Sequence, residues 1–409
     1  MRDSAGIPGG TGAAGGTQQP PSGRRRRLLR WAGLGAALLV LGGTAAGWWV
    51  YTKLEGNITE DTSAAAELRR YDRERPAHLA GGAQNILLIG SDSRSGKANS
   101  RYGRDKGTQR SDTTILLHLP ADRKSATAVS VPRDLMARIP ACLQADGSRT
   151  QEQLAQFNWA FEWGGAACTI RTVEALTGIR IDHHMVVDFG GFTRMVDAIG
   201  GVEVCLKRPV DDAEARLKLP AGRQVLQGEQ ALGFVRARYS LGNGSDTDRM
   251  ERQQLFLGSL VKKVQSNGVL LNPGKLYPLL DAATSSVTTD PGLASLRGLY
   301  ELVRGVRDIP TDQIKFLTVP RRPYGANPNR DELQEPDATQ LFQRLRADKP
   351  LTIAPPEPSP ASTPGAAPRD EQAARDGAGA GRAETGGTTG APTPVPTFTG
   401  TTAGVADCR

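Results

Sequence analysis

Three short segments place carboxylates beside guanidinium groups, a combination that suits a metal ion and a phosphate. NILLIGSDSR carries Asp92 and Arg94 directly after an apolar run. QRSDTT carries Arg110 and Asp112 before a second run, and SVPRD carries Arg133 where a third run ends. Carboxylates are ligands for a hard cation such as Mg²⁺ or Mn²⁺, with water or substrate oxygens completing the shell. Arginines bind phosphate through forked hydrogen bonds.

The apolar runs predict strands that bring these residues together. If the first two runs pair as antiparallel neighbours, the end of one meets the start of the other, so Asp92 and Asp112 face each other. The third run returns to that edge before Pro132 breaks it, which places Arg133 beside the two carboxylates. We expect Asp92 and Asp112 to be the metal ligands. The alternative is that each aspartate caps backbone groups in a turn. The three strands are predicted over residues 85–90, 114–119 and 126–131.

A second group of polar residues lies in FVRARYSLGNGSDTDRMERQQ. If FVRAR is extended, Arg236 and Arg238 point to the same side and repel each other unless an anion lies between them. Asp246 or Ser245 is placed to cap the helix that follows. On that helix Arg249, Arg252 and Gln253 share one face of the first turns, and Arg249 and Gln253 point where the helix N-terminus favours an anion. The segment predicts a polyanion site, and the alternative for DRMERQQ alone is a solvated helix face.

Composition divides the chain into a membrane segment, an exported domain and flanking segments. WAGLGAALLVLGGTAAGWWVY has no charged residue and is long enough to cross a bilayer as a helix. The preceding RRRR block keeps its end in the cytoplasm by the positive-inside rule, so the rest is expected outside the cell. The alternative is a cleaved signal peptide. We predict a disordered basic cytoplasmic tail (1–30), a transmembrane helix (31–51), a linker with a short helix (52–81), an extracytoplasmic domain (82–349) and a disordered Pro/Gly/Thr-rich tail (350–409).

The exported domain intermixes strands and helices, which indicates an α/β fold. Helices are predicted over residues 151–162 and 168–177, among others. Because an exported domain meets an oxidising environment, we expect a disulfide between Cys142 and Cys168 and a buried thiol at Cys205. Sequence alone leaves the connectivity open.

Nucleic-acid binding is not expected, although the pI is near 9.4. Part of the positive charge belongs to the basic block before the membrane segment. The arginines of the domain gather around carboxylates and do not form a basic face interleaved with aromatic residues.

Six ordered motifs resemble those of the LytR-CpsA-Psr proteins of Gram-positive cell envelopes. They are NILLIGSDSR, QRSDTTILLHL, SVPRDL, the FN-x-AF segment near Asn158, IDHHMVVDFGGFTRMVDAIGGVEV and ALGFVRARYSLGNGSDTDRMERQQ. The resemblance covers about residues 85–264 and implies an α/β/α sandwich over a mixed central sheet. It also implies a long apolar pocket for a polyprenyl chain, for which residues 185–196 are candidate lining, although a buried core would look the same.

The resemblance implies a membrane-bound phosphotransferase. Such proteins move a secondary glycopolymer, such as a teichoic acid, from its polyprenyl pyrophosphate carrier to the C6 hydroxyl of N-acetylmuramic acid in peptidoglycan. A phosphodiester results. Two alternatives remain open: a phosphatase that releases polyprenyl phosphate with water as acceptor, and a non-catalytic protein that holds lipid-linked polymer. Two carboxylates in the site argue against the second, because binding an anion does not require them.

Site residues are carried over by motif. Asp92 and Asp112 match the metal-site aspartates, and Arg94 and Asp246 occupy matching positions with less defined roles. Two aspartates precede Arg249 in SDTDR, so the match of Asp246 is ambiguous, and the general base is either Asp246 or Asp92. The expected pyrophosphate contacts are Arg110, Arg133, Arg236, Arg238, Arg249 and Gln253.

Overall fold

The computed structural model describes residues 23–92, 110–206, 208–237, 246–266, 273–355 and 396–405. The chain divides into two compact units, Met1–Lys53 and Leu54–Arg409. Helix α1 (Gly23–Asn57) contains a stretch, Arg27–Asn57, that is long and apolar enough to cross a membrane. The predicted tail therefore ends earlier than residue 30, because arginine and leucine are good helix formers and continue the helix toward the N-terminus.

The second unit is built on a mixed sheet of nine described strands. Strand β2 is antiparallel to β3 and parallel to β7, so the fold combines both pairings. The mixed sheet with flanking helices confirms the expected fold class. In spatial order the strands are β1 (Thr59–Glu60), β12 (Val287–Thr289), β7 (His183–Asp188), β2 (Gln84–Ser91), β3 (Ser111–Leu119), β4 (Ala126–Val131), β13 (Ile314–Thr318), β17 (Thr397–Thr402) and β16 (Thr352–Ala354).

Strand β2 is continuously apolar from Ile86 to Ile89 because helices cover both faces of the sheet. Ile86 and Leu88 belong to the core on one face, whereas Leu87 and Ile89 belong to the core on the other. Successive side chains of a strand point to opposite faces, so a strand buried on both sides has no polar alternation.

Helices form the outer layers. On one face lie α2 (Thr62–Arg70), α3 (Trp159–Thr177) and α9 (Asp337–Arg346), which share the core of Leu87. Helices α6 (Asp246–Gln265) and α8 (Leu296–Arg307) pack on the core of Ile86. A neighbouring core joins α6 to α4 (Phe189–Ala198), α5 (Gly228–Arg236) and α7 (Pro273–Thr284).

Within the described ranges, four two-stranded ladders stand outside the main sheet. One of them overturns the helix predicted over residues 151–162, because Gln153–Gln156 pairs with Met136–Ile139 and α3 begins at Trp159. Backbone pairing and the burial of Ala155 outweigh the local helix propensity. The ladders pair β5 (Met136–Ile139) with β6 (Gln153–Gln156), β8 (Val202–Leu206) with β11 (Gly222–Leu226), β9 (Val210–Asp212) with β10 (Leu217–Leu219), and β14 (Arg321–Tyr324) with β15 (Asn327–Leu333).

The region predicted as a disordered tail from residue 350 contributes two strands to the main sheet. Strand β17 pairs with β13 and β16 pairs with β17. Phe398 is 5% exposed, so even this polar segment buries an apolar side chain and satisfies its backbone through the ladder. The prediction of disorder was wrong for these residues.

The Cys142–Cys168 disulfide is present, with an S–S distance of 1.99 Å. It joins the segment after β5 to helix α3, next to Trp159 and Trp163. The buried thiol expected at Cys205 is wrong, because Cys205 is disulfide-bonded and lies on the exposed side of β8.

Candidate functional site

The ends of β2 and β3 meet at the predicted rim. The Asp92 N–H donates to the Arg110 carbonyl at 3.0 Å, and the Arg110 N–H donates to Asp92 Oδ1 at 2.6 Å. The Arg110 guanidinium donates from Nε to Glu162 Oε2 at 2.7 Å. Asp92 and Arg110 thus fix the two chain ends that flank residues 93–109.

A β-bulge sets the position of Asp112. Ser91 pairs with Ser111, whereas Gly90 pairs with Thr113, so Asp112 is the extra residue of the ladder. A bulge re-aims a side chain at the rim of a sheet. Asp112 Oδ1 accepts a hydrogen bond from Arg133 Nη1 at 3.2 Å, which confirms that the two strand ends bring these groups together.

Arg133 bridges two carboxylates. Its Nε donates to Asp134 Oδ2 at 3.3 Å, in addition to the Asp112 contact. Asp134 also accepts from Gln156 at 3.0 Å and from Arg330 at 3.5 Å. The guanidinium of Arg133 is therefore held in one orientation while its side chain remains 21% exposed.

Helices α5 and α6 supply the remaining described cations. Arg249 is 5% exposed, and its Nη2 donates to the Asp112 carbonyl at 3.5 Å. Gln253, one turn further along α6, donates to the Val235 carbonyl at 3.1 Å. Arg236 is the last residue of α5, and its guanidinium lies 4.5 Å from the ring centre of Phe189. The cation–π contact orients an otherwise exposed side chain.

The extended conformation expected for FVRAR is wrong, because α5 continues to Arg236. A capping box between Gln227 and Gln230 starts this helix, and Ala231 and Phe234 are buried on one side of it. Burial at helical spacing decides the conformation against the local strand pattern.

These polar residues line a cavity of about 450 Å³ between the sheet and α4–α6. Asp112, Arg133, Arg236, Arg249 and Gln253 lie in its wall together with three further carboxylates, Asp188, Asp212 and Glu214. The rest of the wall is mainly aliphatic and aromatic, and includes Leu88, Ile115, Phe192, Phe256, Leu257 and Leu260.

Residues 185–196 contribute to this wall as expected. Met185, Val187 and Met195 line the cavity together with Phe189 and Phe192. Val196 packs instead in the core beside α5 and α6. The segment serves both purposes because β7 and α4 present alternate residues to the cavity and to the interior.

Three site predictions fall on residues that the structure does not describe. Arg94 and Arg238 lie outside the described ranges, and Asp246 begins α6 without a described side chain. Their predicted roles stay predictions.

Three further residues support the site without having been predicted. Glu162 holds Arg110, and Arg252 donates to the Ala237 carbonyl, which ties α6 to the end of α5. Asp188 caps α4, where its Oδ1 accepts from the Gly191 N–H at 2.6 Å. The Asp188 cap could have been found, because Asp before FGG is a helix-start signal. Arg252 shares the helix face predicted for Arg249 and Gln253, whereas Glu162 carries no such local signal.

The donor set is compatible with a hard cation. Asp112 presents a carboxylate on the cavity wall, and Asp92 lies at the end of the paired strand. In the described ranges no group of three or more His, Cys, Asp or Glu side chains is arranged to hold a metal. One or two carboxylates with substrate phosphates and water are the usual ligands of Mg²⁺.

The model of the LytR_cpsA_psr family matches residues 51–349, most of the chain. The protein belongs to the LytR-CpsA-Psr family. The cell wall biosynthesis protein LcpA of Corynebacterium glutamicum is 37% identical over 269 residues, which cover 59% of this chain and 51% of LcpA. The polyisoprenyl-teichoic acid–peptidoglycan teichoic acid transferase TagV of Bacillus subtilis is 29% identical over 238 residues, with 57% of each chain covered. This chain thus spans about half the length of these curated relatives.

Solved LytR-CpsA-Psr structures share the fold. A LytR-Csp2A-Psr enzyme from Actinomyces oris superposes with a TM-score of 0.52 at 21% identity, over 66% of this chain and 93% of that one. The crystal structure of B. subtilis TagV gives a TM-score of 0.52 at 23% identity, over 66% of this chain and 98% of that one.

Proposed function

We propose that this LytR-CpsA-Psr protein is a membrane-anchored phosphotransferase. It moves a secondary cell-wall glycopolymer from polyprenyl pyrophosphate to the C6 hydroxyl of N-acetylmuramic acid in peptidoglycan. The observation that carries the proposal is a single cavity in which Arg133 and Arg249 contact Asp112 and most of the remaining wall is apolar. A lipid joined to a diphosphate has the same division into a charged and an apolar part. The names of relatives such as TagV add support.

The arginines of the cavity wall are suited to hold the pyrophosphate. Arg133 and Arg249 both contact Asp112, and Arg236 lies on the same wall. Guanidinium groups form paired hydrogen bonds with phosphate oxygens, and they stabilise charge most strongly where water is excluded. Arg94, Arg110, Arg238 and Gln253 are the further proposed contacts.

Asp92 and Asp112 would hold Mg²⁺ or Mn²⁺. Such an ion, when bound, neutralises the phosphate oxygens and stabilises the polyprenyl phosphate leaving group.

The transfer exchanges one phosphorus–oxygen bond for another. The C6 oxygen of the acceptor bonds to the phosphorus that carries the glycopolymer, and the bond from that phosphorus to the bridging oxygen breaks. The electron pair leaves with polyprenyl phosphate, and the hydroxyl proton passes to a carboxylate, for which Asp92 and Asp246 are the candidates. The arginines keep the two reacting groups in line, which is most of what phosphoryl transfer requires.

The apolar helix α1 is proposed as a single-pass anchor with its N-terminus in the cytoplasm. Seven consecutive residues of RRRRLLR include five arginines on that side of the apolar run. The second unit is then outside the cell, where the lipid donor and peptidoglycan meet.

The decisive assay uses the full chain in lipid nanodiscs with a polyprenyl-pyrophosphate-linked glycopolymer and Mg²⁺, with and without peptidoglycan fragments. A product joined through a phosphodiester, detected by mass spectrometry, supports transfer. Release of polyprenyl phosphate irrespective of acceptor supports a phosphatase instead, and donor retention without turnover supports a binding protein.

Asp112→Asn should abolish the joined product. The matched control is Asp122→Asn, which changes an exposed carboxylate in the turn after β3 and should leave turnover unchanged. Equal activity of both variants would contradict a role of Asp112 at the reacting phosphate.

A further inference from the structure

Helix α8 (Leu296–Arg307) carries apolar side chains on a surface that the described part of the protein leaves uncovered. None of its residues is fully buried. Tyr300 is 64% exposed and Val303 is 50% exposed. On its inner side Leu302 and Val306 pack against the core that also contains Leu257. Apolar side chains therefore occupy two adjoining sides of the helix. The described part of the protein covers the side of Leu302 and Val306 and leaves the side of Tyr300 and Val303 uncovered.

The uncovered side is also basic. At 3.6 residues per turn, Val303 and Tyr300 share a sector with Arg297, Arg304 and Arg307. Arg297 pairs with Glu301 at 3.0 Å and Arg307 lies 3.6 Å from Asp308, so arginines outnumber carboxylates on this sector.

The last turn of α6 extends the positive charge. It contributes Lys262 and Lys263, and Gln265 donates to the Arg307 carbonyl at 3.2 Å. An amphipathic helix with aromatic and aliphatic residues flanked by arginines is typical of a helix that lies in a membrane interface.

The N-terminus of α8 is hydrogen-bonded to the segment that follows the apolar run in the sequence. The Leu296 N–H donates to Glu55 Oε2 at 2.9 Å, and both residues belong to the second compact unit. Glu55 follows Tyr51, the last residue of the apolar run, by only a few positions, a distance that the chain spans in at most about 14 Å. If the apolar run crosses the bilayer, α8 begins near the outer lipid headgroups.

We propose that α8 is a second membrane contact that lies on the outer face of the bilayer. Tyr300 and Val303 enter the boundary between headgroups and acyl chains, and the arginines contact the phosphates of anionic lipids. The proposal rests on α1 being a membrane anchor, which is part of the proposed function. The uncovered side of α8 then contacts lipid and not another protein.

This contact would orient the cavity. Leu257 lines the apolar part of the cavity and packs in the same core as Leu302 and Val306. A bilayer against α8 would thus adjoin the core that contributes Leu257 to the apolar wall of the cavity.

The test measures probe depth in the full chain reconstituted in liposomes of phosphatidylcholine and phosphatidylglycerol. Among the described residues every cysteine is disulfide-bonded, so one introduced cysteine can carry an environment-sensitive fluorophore. Val303→Cys places the probe on α8. The matched control is Val225→Cys on β11, where the native side chain is 52% exposed. Leu39→Cys, within the apolar run and 79% exposed, reports the anchor.

We expect nitroxide lipids to quench the probe at 303 and at 39, and to leave the probe at 225 at its aqueous level. Arg304→Glu in the Val303→Cys chain should weaken the quenching at 303 in anionic liposomes. Each basic side chain near such a surface corresponds to about a fivefold change in binding. Liposomes of phosphatidylcholine alone should show little effect of this substitution.

Three results would overturn the proposal. Quenching at 39 with aqueous behaviour at 303 retains the anchor and rejects the α8 contact, whereas aqueous behaviour at both positions rejects the anchor and with it this proposal. Cross-linking between copies through the cysteine at 303, without lipid quenching, would assign the surface to a second copy of the chain. Tyr300→Cys repeats the measurement on the same sector if the Val303 variant is poorly folded.

Discussion

Replacing Arg133 should lower the rate of transfer strongly and the stability of the fold only slightly. The guanidinium contacts Asp112 at 3.2 Å and Asp134 at 3.3 Å. Arg133→Ala leaves Asp134 with Gln156 and Arg330, so the fold loses little. A partly exposed ion pair of this kind contributes about 1 kcal/mol or less. We therefore expect the melting temperature to fall by only a few degrees, at most about 4 °C.

The expected loss of activity is much larger. Arg133 is proposed to stabilise charge that develops on the phosphate oxygens during transfer. Removing one preorganised donor of this kind typically costs about 2.7–4 kcal/mol, which is a decrease in kcat of about 100- to 1,000-fold. Arg133→Lys retains the charge without the forked geometry, so its rate should lie between those of wild type and Arg133→Ala.

The assay is transfer of labelled glycopolymer to peptidoglycan fragments by the full chain in nanodiscs, at several donor concentrations. Arg138→Ala is the matched control. Arg138 also pairs with a carboxylate, Glu152 at 3.3 Å, but its side chain is 71% exposed on β5 and does not line the cavity. Its removal should change neither the rate nor the melting temperature measurably.

A wild-type rate for Arg133→Ala would refute the assignment of this residue to the phosphate. Equal losses in Arg133→Ala and Arg138→Ala would show that the assay reports general damage. A fall in melting temperature far beyond 4 °C would mean that Arg133 acts through the fold.

Three further predictions concern the cavity, the disulfide and the acid limit. Leu260→Trp narrows the apolar cavity and, by excluding about two methylene groups of lipid, should raise the KM for a long-chain donor about tenfold; an equal effect on a short-chain donor would contradict this. Replacing Cys142 and Cys168 by serine opens a loop with a sequence separation of 26 and should lower the free energy of unfolding in denaturant titrations by about 3.5 kcal/mol, a difference that must vanish when wild type and variant are both reduced. Burial raises the pKa of Asp61, but the contact with His184 Nε2 at 3.4 Å and hydrogen bonds from the Ala64 N–H and from Ser63 outweigh it and lower the pKa to about 2. Because the folded-state pKa is depressed, the ionised carboxylate stabilises the fold above its ordinary pKa of 3.8, and about 2 kcal/mol is lost as the pH falls from 3.8 through 2. Unfolding titrations of Asp61→Asn should lack this part of the acid dependence, and an unchanged profile would exclude Asp61 as its source.

The sequence alone determined the central strands and the meeting of Asp112 with Arg133. Strands β2, β3 and β4 are short apolar runs that end in proline, glycine or polar residues, and antiparallel neighbours must share an edge. The Cys142–Cys168 pair could also be proposed from the sequence, because an exported domain favours disulfides. These features depend on local composition and chain direction.

Only the tertiary structure determined the conformation of segments that contact residues far away in the sequence. FVR is helical because Ala231 and Phe234 face a core formed with α4 and α6, and Gln153–Gln156 is a strand because Met136–Ile139 pairs with it. Strand β17 joins the sheet far from its neighbours in sequence. Glu162 likewise reaches Arg110 only in the folded chain. Local propensities differ by less than about 1 kcal/mol per residue, so the burial and hydrogen bonding that such distant contacts supply decide the final conformation.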